Sequence, residues 1–216
     1  MDNDTLTSLV KRCLVDSGLA LPEGAIERLV AMYALLQKWN AKVNLTRIVE
    51  PREVVEKHFI DSLLILPELE GATSFLDVGT GAGFPGLPLK IARPELKATL
   101  VDASARKVAF VKQAIVQLQL SGASAVHQTL AGSPEDEGIE RADRVVARAV
   151  GAPEPMLRLC RPYLTEGGAV LLMLGRTEEE AVQAAAQAQG FRLGSFRVMR
   201  LPWSGAERAV ALLSPA

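Results

Sequence analysis

The chain is expected to fold as a doubly wound α/β protein, with a mainly parallel seven-stranded sheet and a helical extension at its N-terminus. Three observations point there. From residue 74 onward, short apolar runs alternate with segments of helical period, which is the pattern of successive βαβ units. Runs such as Val145-Val146-Ala147 and Val170-Leu171-Leu172-Met173-Leu174 are apolar throughout, as strands covered by helices on both faces require. The first 70 residues, by contrast, carry helical periodicity alone. At 216 residues, with 49% hydrophobic and 23% charged, the chain can bury a substantial core and has an ordinary globular composition.

The elements follow in order. Leu6, Leu9, Val10, Cys13 and Leu14 recur at helical spacing, and Gly18 follows as a stop. Pro22 is expected to open a second helix, with Ile26, Leu29, Val30, Tyr33 and Leu36 on one face, running to about Trp39. Asn40 to Thr46 then reads as a loop, and Pro51 starts a third helix that buries Val55, Phe59, Leu63 and Leu64 and ends before Pro67. Strands are expected at 74–78, 97–101, 123–127, 143–147, 168–174, about 191–200 and 207–213, with helices at 85–92, 104–119, 153–163 and 177–189. Almost nothing separates the last two strands, so they should pair antiparallel at one edge of the sheet. The division expected is an extension over 1–70 and a ligand-binding domain over 71–216.

The segment Phe75 to Ile91, FLDVGTGAGFPGLPLKI, follows the first strand with four glycines in eight residues, more than a tight turn needs. Gly81, Gly83 and Gly86 form a G-x-G-x-x-G, which in dinucleotide-binding folds aims a helix N-terminus at a pyrophosphate. Pro85 and Pro88 speak against that reading, because each removes an N–H where a pyrophosphate wants donors. Framed two residues earlier, Asp77-Val78-Gly79-Thr80-Gly81-Ala82-Gly83 resembles motif I of the S-adenosylmethionine-dependent methyltransferases. The chemistry suits that cofactor, which carries no pyrophosphate. Asp77 supplies negative potential near a sulfonium and an ammonium, and the bare loop lets the backbone approach the methionine and ribose. Asp102, at the end of the second strand, is placed to accept from ribose hydroxyls. Dinucleotide folds use an acid there too, so Asp102 alone does not discriminate.

A more specific resemblance runs over roughly residues 26 to 213. KWNAKVNLTRI (38–48), KHFIDSL (57–63), FLDVGTGAGFPGLPLKIARPE (75–95), LVDASARKVAFV (100–111) and ARAVG (147–151) occur in that order. Together they resemble the RsmG or GidB family, bacterial methyltransferases of small-subunit ribosomal RNA. The resemblance implies a Rossmann-like class I methyltransferase fold and S-adenosylmethionine as cofactor. It also implies transfer of methyl to guanine N7 in the decoding-region loop of 16S rRNA, naked or in the small ribosomal subunit. Carried over by position, it puts the cofactor against Gly79, Phe84, Leu130, Ala131 and Arg148, beside Asp77, Gly81, Gly83 and Asp102. The family usually shows R-x-E after the third strand, where this chain has Thr129-Leu130-Ala131 and so lacks an acid expected near the adenine. The closing segment GAERAVALL keeps the family's E-R pair and lacks its trailing lysine.

Guanine N7 offers an in-plane lone pair and carries no proton, so its methylation needs no general base. Positioning and electrostatics suffice. In agreement, no Asn/Asp-Pro-Pro-aromatic segment follows the fourth strand, which ends instead in Ala147-Arg148-Ala149. Arg148 is thus the candidate catalytic residue, a donor to guanine O6, phosphate or the cofactor carboxylate. With a net charge of −1, RNA must be met by a local patch. Lys38, Lys42, Arg47, Arg52 and Lys57, with His58, fall within 21 residues, offset by Glu50, Glu53 and Glu56. Lys42, Asn44, Arg47, Lys57 and His58 are the candidate RNA contacts. For Asn40 and Asn44 the alternative is a plain turn role, and for His58 a structural hydrogen bond. Aromatics at 5% argue against a broad base-stacking platform. Cys13 and Cys160 match no metal spacing and no other cluster suggests a metal; both read as core thiols of a reducing compartment. The chain shows neither a signal peptide nor a run long enough to span a membrane, so a cytoplasmic, monomeric protein is expected. Two alternatives stay open: an NAD-dependent oxidoreductase, and a methyltransferase-fold RNA-binding protein without activity.

Overall fold

The computed structural model describes residues 2–148, 152–175 and 177–216; Ala149 to Gly151, the end of the ARAVG motif, lie outside the described residues. Three helical segments come first: α1 (Asn3–Asp16), α2 (Ala25–Val43) and a third built of α3 (Pro51–Val54), a π-helical turn (Val55–Ile60) and α4 (Asp61–Leu63). A 3₁₀ turn (Leu66–Leu69) leads into β1 (Ser74–Val78), α5 (Gly86–Ala92), β2 (Lys97–Asp102), α6 (Ala105–Gln117) and β3 (Ala123–His127). Then come α7 (Pro134–Glu137), β4 (Ala142–Arg148), α8 (Pro153–Cys160), β5 (Leu164–Leu174), α9 (Glu179–Ala188), β6 (Phe191–Arg200) and β7 (Glu207–Pro215). The seven strands lie in the order β3-β2-β1-β4-β5-β7-β6. β1 to β5 pair in parallel, while β7 runs antiparallel to both β5 and β6. The fold class and the antiparallel edge are those expected.

Alternation along the strands divides the core in two. Val146 and Leu171 point into a cluster with α1, α2, the third helix, α5 and α6, including Leu6, Leu29, Phe59, Leu87 and Phe110. Their neighbours Val145, Val170 and Leu172 point to the other face, against Leu157 and Cys160 of α8 and Val182 of α9. Each residue step along a strand reverses the face, so uniformly apolar strands are covered on both sides. The helical N-terminal segment is thereby the cover of one sheet face.

Several boundaries differ from the expected ones, each for a local reason. α2 begins at Ala25, because Gly24 precedes it at φ 74° in the left-handed region and Pro22 lies in the turn before. It runs through the expected loop to Val43 and stops at Asn44, which is itself left-handed at φ 46°. Asn40 therefore belongs to the helix, and its amide bonds both the N–H and the C=O of Thr46, closing the turn. The third helix is not regular. Its π turn comes with burial nearly all round, so that Glu56, His58, Asp61 and Ser62 are buried beside Val55, Phe59, Ile60 and Leu63. β5 starts at Leu164, earlier than expected, with its register shifted opposite Ala142 and Arg144 and Gly167 at φ 74°. The helix at 153 ends at Cys160 in a 3₁₀ turn over Arg161–Tyr163.

Candidate active site

The glycine loop is held by carboxylates at the ends of β1 and β2. Asp77 is fully buried beneath it, and its Oδ2 accepts from Gly86 N–H at 2.8 Å. Asp102 Oδ2 accepts from Gly81 N–H at 2.8 Å, and its Oδ1 accepts from Ser104 N–H at 2.8 Å. Each Asp102 oxygen keeps a second lone pair for a ligand hydroxyl. Burial pushes the Asp77 carboxyl up to about 6. The Gly86 N–H opposes this, as does the nearby Thr80 hydroxyl, which stops short of hydrogen-bonding geometry. Asp77 Oδ1 and Thr80 Oγ1 are thus buried without a partner among the described residues.

The glycines divide into two kinds. Gly79 and Gly81 are left-handed, at φ 71° and 60°, and line a cavity. A Cβ on Gly81 would meet nothing closer than Gly79 O at 3.9 Å, so a larger side chain would stand in the cleft. Gly83 and Gly86 face inward instead. A Cβ on Gly83 would lie 2.3 Å from Leu87 Cδ1, and one on Gly86 2.6 Å from Asp77 Oδ2. Gly83, expected to touch the cofactor, is therefore placed against helix α5, where close packing requires it.

The opposite wall comes from the N-terminal segment. Leu45, Thr46 and His58 line the same cavity of about 220 Å³ as Gly79, Thr80, Gly81, Ala82, Phe84 and Arg148. His58 stacks on Phe84 with ring centroids 4.2 Å apart and planes at 12°, and its Nε2 lies 3.1 Å from the Thr46 hydroxyl. Burial, and then the Arg148 guanidinium, pull the His58 pKa down to about 3 although the Lys57 backbone acts the other way, so the ring is neutral at physiological pH. Expected as an RNA contact, His58 is placed inside the cleft wall.

Arg148 stands where the two walls meet. Its Nη2 donates to Lys57 O at 2.6 Å and pairs with Asp61 Oδ2 at 2.9 Å. The other Asp61 oxygen takes Arg208 Nε at 2.8 Å, so one buried carboxylate fixes two arginines. Burial lowers the Arg148 pKa, against which Asp61 acts to raise it, and Nη1 is buried with no partner among the described residues. A second cavity, of about 170 Å³, opens on the far side of Arg148 between Asp61, Arg208 and the ends of β5 and β7. Arg148 is a wall of both.

The other expected site residues lie apart from these cavities. Leu130 and Ala131 follow β3 next to Asp102, where Gln128 N–H donates to Asp102 O. The Ala131 N–H donates to Glu137 Oε1 at 2.7 Å, and the Tyr163 hydroxyl donates to the other Glu137 oxygen at 2.5 Å. Burial acts to raise the Glu137 pKa, but these bonds outweigh it and hold the carboxyl below its ordinary value. Among the proposed RNA contacts, Lys42, Asn44 and Arg47 are exposed, while Lys57 is paired with Glu53 at 2.5 Å. Arg52 lies over the Trp203 ring, 4.8 Å from its centroid. Asp61, Thr80, Arg208 and Glu137 were not singled out from sequence. Asp61 and Arg208 sit in the quoted KHFIDSL and GAERAVALL stretches, but 147 positions separate them and nothing local signals the pairing. Among the described residues no group of three or more His, Cys, Asp or Glu is arranged to hold a metal ion, and no helix is long and apolar enough to cross a membrane.

Comparison with known proteins extends this picture. The family model GidB, described as rRNA small subunit methyltransferase G, matches residues 25–207. The Ribosomal RNA small subunit methyltransferase G of Myxococcus xanthus is 50% identical over 188 residues, 87% of this chain and 87% of that protein. That of Anaeromyxobacter dehalogenans is 46% identical over 195 residues, 90% of each chain. Among solved structures, a SAM-dependent methyltransferase from Aquifex aeolicus superposes with a TM-score of 0.58 at 19% identity, covering 79% of this chain and 96% of that one. The Synechocystis magnesium protoporphyrin IX methyltransferase with bound SAM gives a TM-score of 0.59 at 12% identity over 86% and 97% of the two chains. At such identities the structural likeness speaks for the fold.

Proposed function

This chain belongs to the GidB family of small-subunit rRNA methyltransferases, and from that membership and the site we infer that it methylates small-subunit 16S rRNA with S-adenosylmethionine as donor. The finer reading is that the acceptor is N7 of a guanine in the decoding-region loop. The protein acts in the cytoplasm, as a monomer and without a metal.

The residues fit the cofactor. Gly81 leaves open space above the loop, Arg148 lines the same cavity with a guanidinium suited to a carboxylate, and Asp102 offers acceptors at the end of β2. Phe84 and the backbone of Leu130 and Ala131 complete the proposed set, with Asp77 holding the loop from below. Bound there, S-adenosylmethionine supplies an electrophilic methyl on a sulfonium.

The remaining chemistry belongs to the chain. Arg148, fixed by Asp61 and the Lys57 carbonyl, lines both cavities, and that is the observation that carries the N7 assignment. A guanidinium in that place positions guanine O6, next to N7, and takes up no proton. The side chains around it do not supply a base. His58 is neutral but buried and stacked, Asp61 is saturated by two arginines, and Asp77 lies under the loop. Alkylation of N7 needs none, so the site works by orientation and by electrostatics around a purine that becomes cationic. In this reading residues 1–70 form the substrate-side extension and 71–216 the cofactor domain. Calorimetric titration with S-adenosylmethionine and, separately, with NADH tests the assignment. Binding of the first alone is expected, and binding of NADH alone overturns it.

A further inference from the structure

The exposed cations of the N-terminal segment do not form the continuous rim their spacing suggests, since Lys57 is paired with Glu53 and Arg52 covers Trp203. A different basic face is present. Helix α6 carries Arg106, Lys107 and Lys112 and no acidic residue, and the second half of α2 carries Lys38 and Lys42 and no acidic residue. The two helices pack together through Trp39 and Phe110, whose ring centroids are 5.9 Å apart. Lys107 lies 3.9 Å from Asp102, whereas Lys38, Lys42, Arg106 and Lys112 have no ion-pair partner among the described residues. In a chain of net charge −1, this is a local concentration of positive charge.

The face also contains a groove. Lys38, Trp39, Lys42, Gln113 and Gln117 line about 370 Å³ between the helices, within the roughly 300–1,000 Å³ typical of small-molecule sites. Of the two tryptophans, Trp203 gives its N–H to Asp16 and its ring face to Arg52. Trp39 is half-buried in the groove wall. Both helices lead to the cleft. α6 starts just after Asp102, and α2 ends at Asn44, just before the Leu45 and Thr46 that line the glycine-loop cavity. Trp39 lies five residues from that end, about 8 Å along the helix axis.

We propose that the α2/α6 face docks single-stranded RNA, with the Trp39 groove taking a nucleobase of the strand that flanks the target guanine. Trp39 supplies the apolar surface, Gln113 and Gln117 supply amide donors and acceptors for a base edge, and the lysines and Arg106 hold phosphates. A single aromatic suits one base, in keeping with the low aromatic content. The inference rests on rRNA being the substrate.

The test uses the full-length protein and small ribosomal subunits from cells lacking it. Trp39→Ala is expected to raise the KM for subunits between about 5- and 150-fold, the range for loss of one base–aromatic stack, with S-adenosylmethionine affinity unchanged. Because Trp39 also touches Phe110, the double variant Lys38→Glu/Lys112→Glu, which leaves the core intact, provides the second arm. It should weaken binding of an oligouridylate probe and reduce the log–log salt slope by about 1 to 1.5. If wild-type protein methylates subunits and both variants do so with wild-type KM and salt slope, the docking face is wrong while the methyltransferase reading stands. If wild-type protein neither binds S-adenosylmethionine nor methylates subunits, the failure lies in the functional reading beneath it.

Discussion

On the sheet side of the cleft, Asp77 and Asp102 hold backbone N–H groups of one continuous loop; on the helix side, Thr46, His58 and Asp61 hold side chains brought from distant parts of the chain. The first wall is the more local in sequence, because strand end, loop and helix start from Asp77 to Gly86 follow one another within about a dozen residues and only Asp102 comes from the next strand. The second is assembled by tertiary packing. Asp61 reaches Arg148 on β4 and Arg208 on β7, and His58 reaches Phe84 across the loop. A wall of backbone amides tolerates changes around it so long as the glycines and the carboxylates stay. A wall of interlocked charged side chains fails when one member is removed.

Asp61→Ala should give the largest effect. It leaves two half-buried guanidinium groups without the buried carboxylate that pairs them, which costs up to about 3–5 kcal/mol. Urea unfolding at neutral pH measures it. Asp77→Asn on the other wall keeps an acceptor for Gly86 N–H and removes a carboxylate that is buried at a cost, so its loss should be no more than about 1 kcal/mol. Equal losses for the two variants would erase the distinction between the walls.

Gly81→Val comes next. Its backbone is left-handed, and a side chain there costs roughly 1–2 kcal/mol, but a Cβ meets nothing closer than Gly79 O at 3.9 Å. The variant should remain folded by circular dichroism and bind S-adenosylmethionine more than tenfold more weakly in a titration. Retained affinity would move the cofactor off the loop.

Acid should act on the two walls in opposite senses. His58 has a folded pKa of about 3, below its ordinary 6.5, so the stability it contributes is complete above 6.5 and is lost as the pH falls toward 3. Asp77, raised from 3.8 to about 6, contributes stability that is complete below 3.8 and is lost as the pH rises through 6. Comparing wild type with His58→Gln isolates the first. The cost of the substitution should shrink by about 2 kcal/mol between pH 7.5 and 5, since only the wild type then resists protonation. A constant cost across that range would show that the ring is not held neutral. The smallest effect is expected outside both walls. Reversing the charge of exposed Lys42 and Arg47 together should flatten the salt dependence of RNA binding by about 1 to 1.5 in log–log slope and leave cofactor affinity unchanged.

What was legible in the sequence follows the same division. The strands, the antiparallel edge and the glycine loop were readable because each is set by short-range pattern: apolar runs, a turn that needs positive φ, and an acid at a strand end. The start of β5 was not, since Thr165-Glu166-Gly167 looks like a turn, and the strand begins at Leu164 only because Leu164 pairs with Ala142 across a register shift from the Arg144–Ala169 pair. The segment 40–63 was least legible. Asn40 reads as a loop residue but sits in α2, where its amide closes the turn onto Thr46. The π turn places His58 and Asp61 in the interior, which no helical period of 3.6 anticipates. Arg148 was found from its place after the fourth strand. Its partner Asp61 was not, because it lies 87 positions away and is itself paired with Arg208, 147 positions further on, and such ion pairs leave no local trace.

The most direct test of the account is to incubate the protein with methyl-labelled S-adenosylmethionine and small ribosomal subunits from cells that lack it, at several pH values, and to identify the labelled nucleoside. The account predicts label in 7-methylguanosine at a single position of 16S rRNA, with a single-turnover rate that varies little between about pH 6.5 and 8.5 because no base must be deprotonated. Label in any other nucleoside, or a tenfold rise in rate tracking one ionisation across that range, would contradict it.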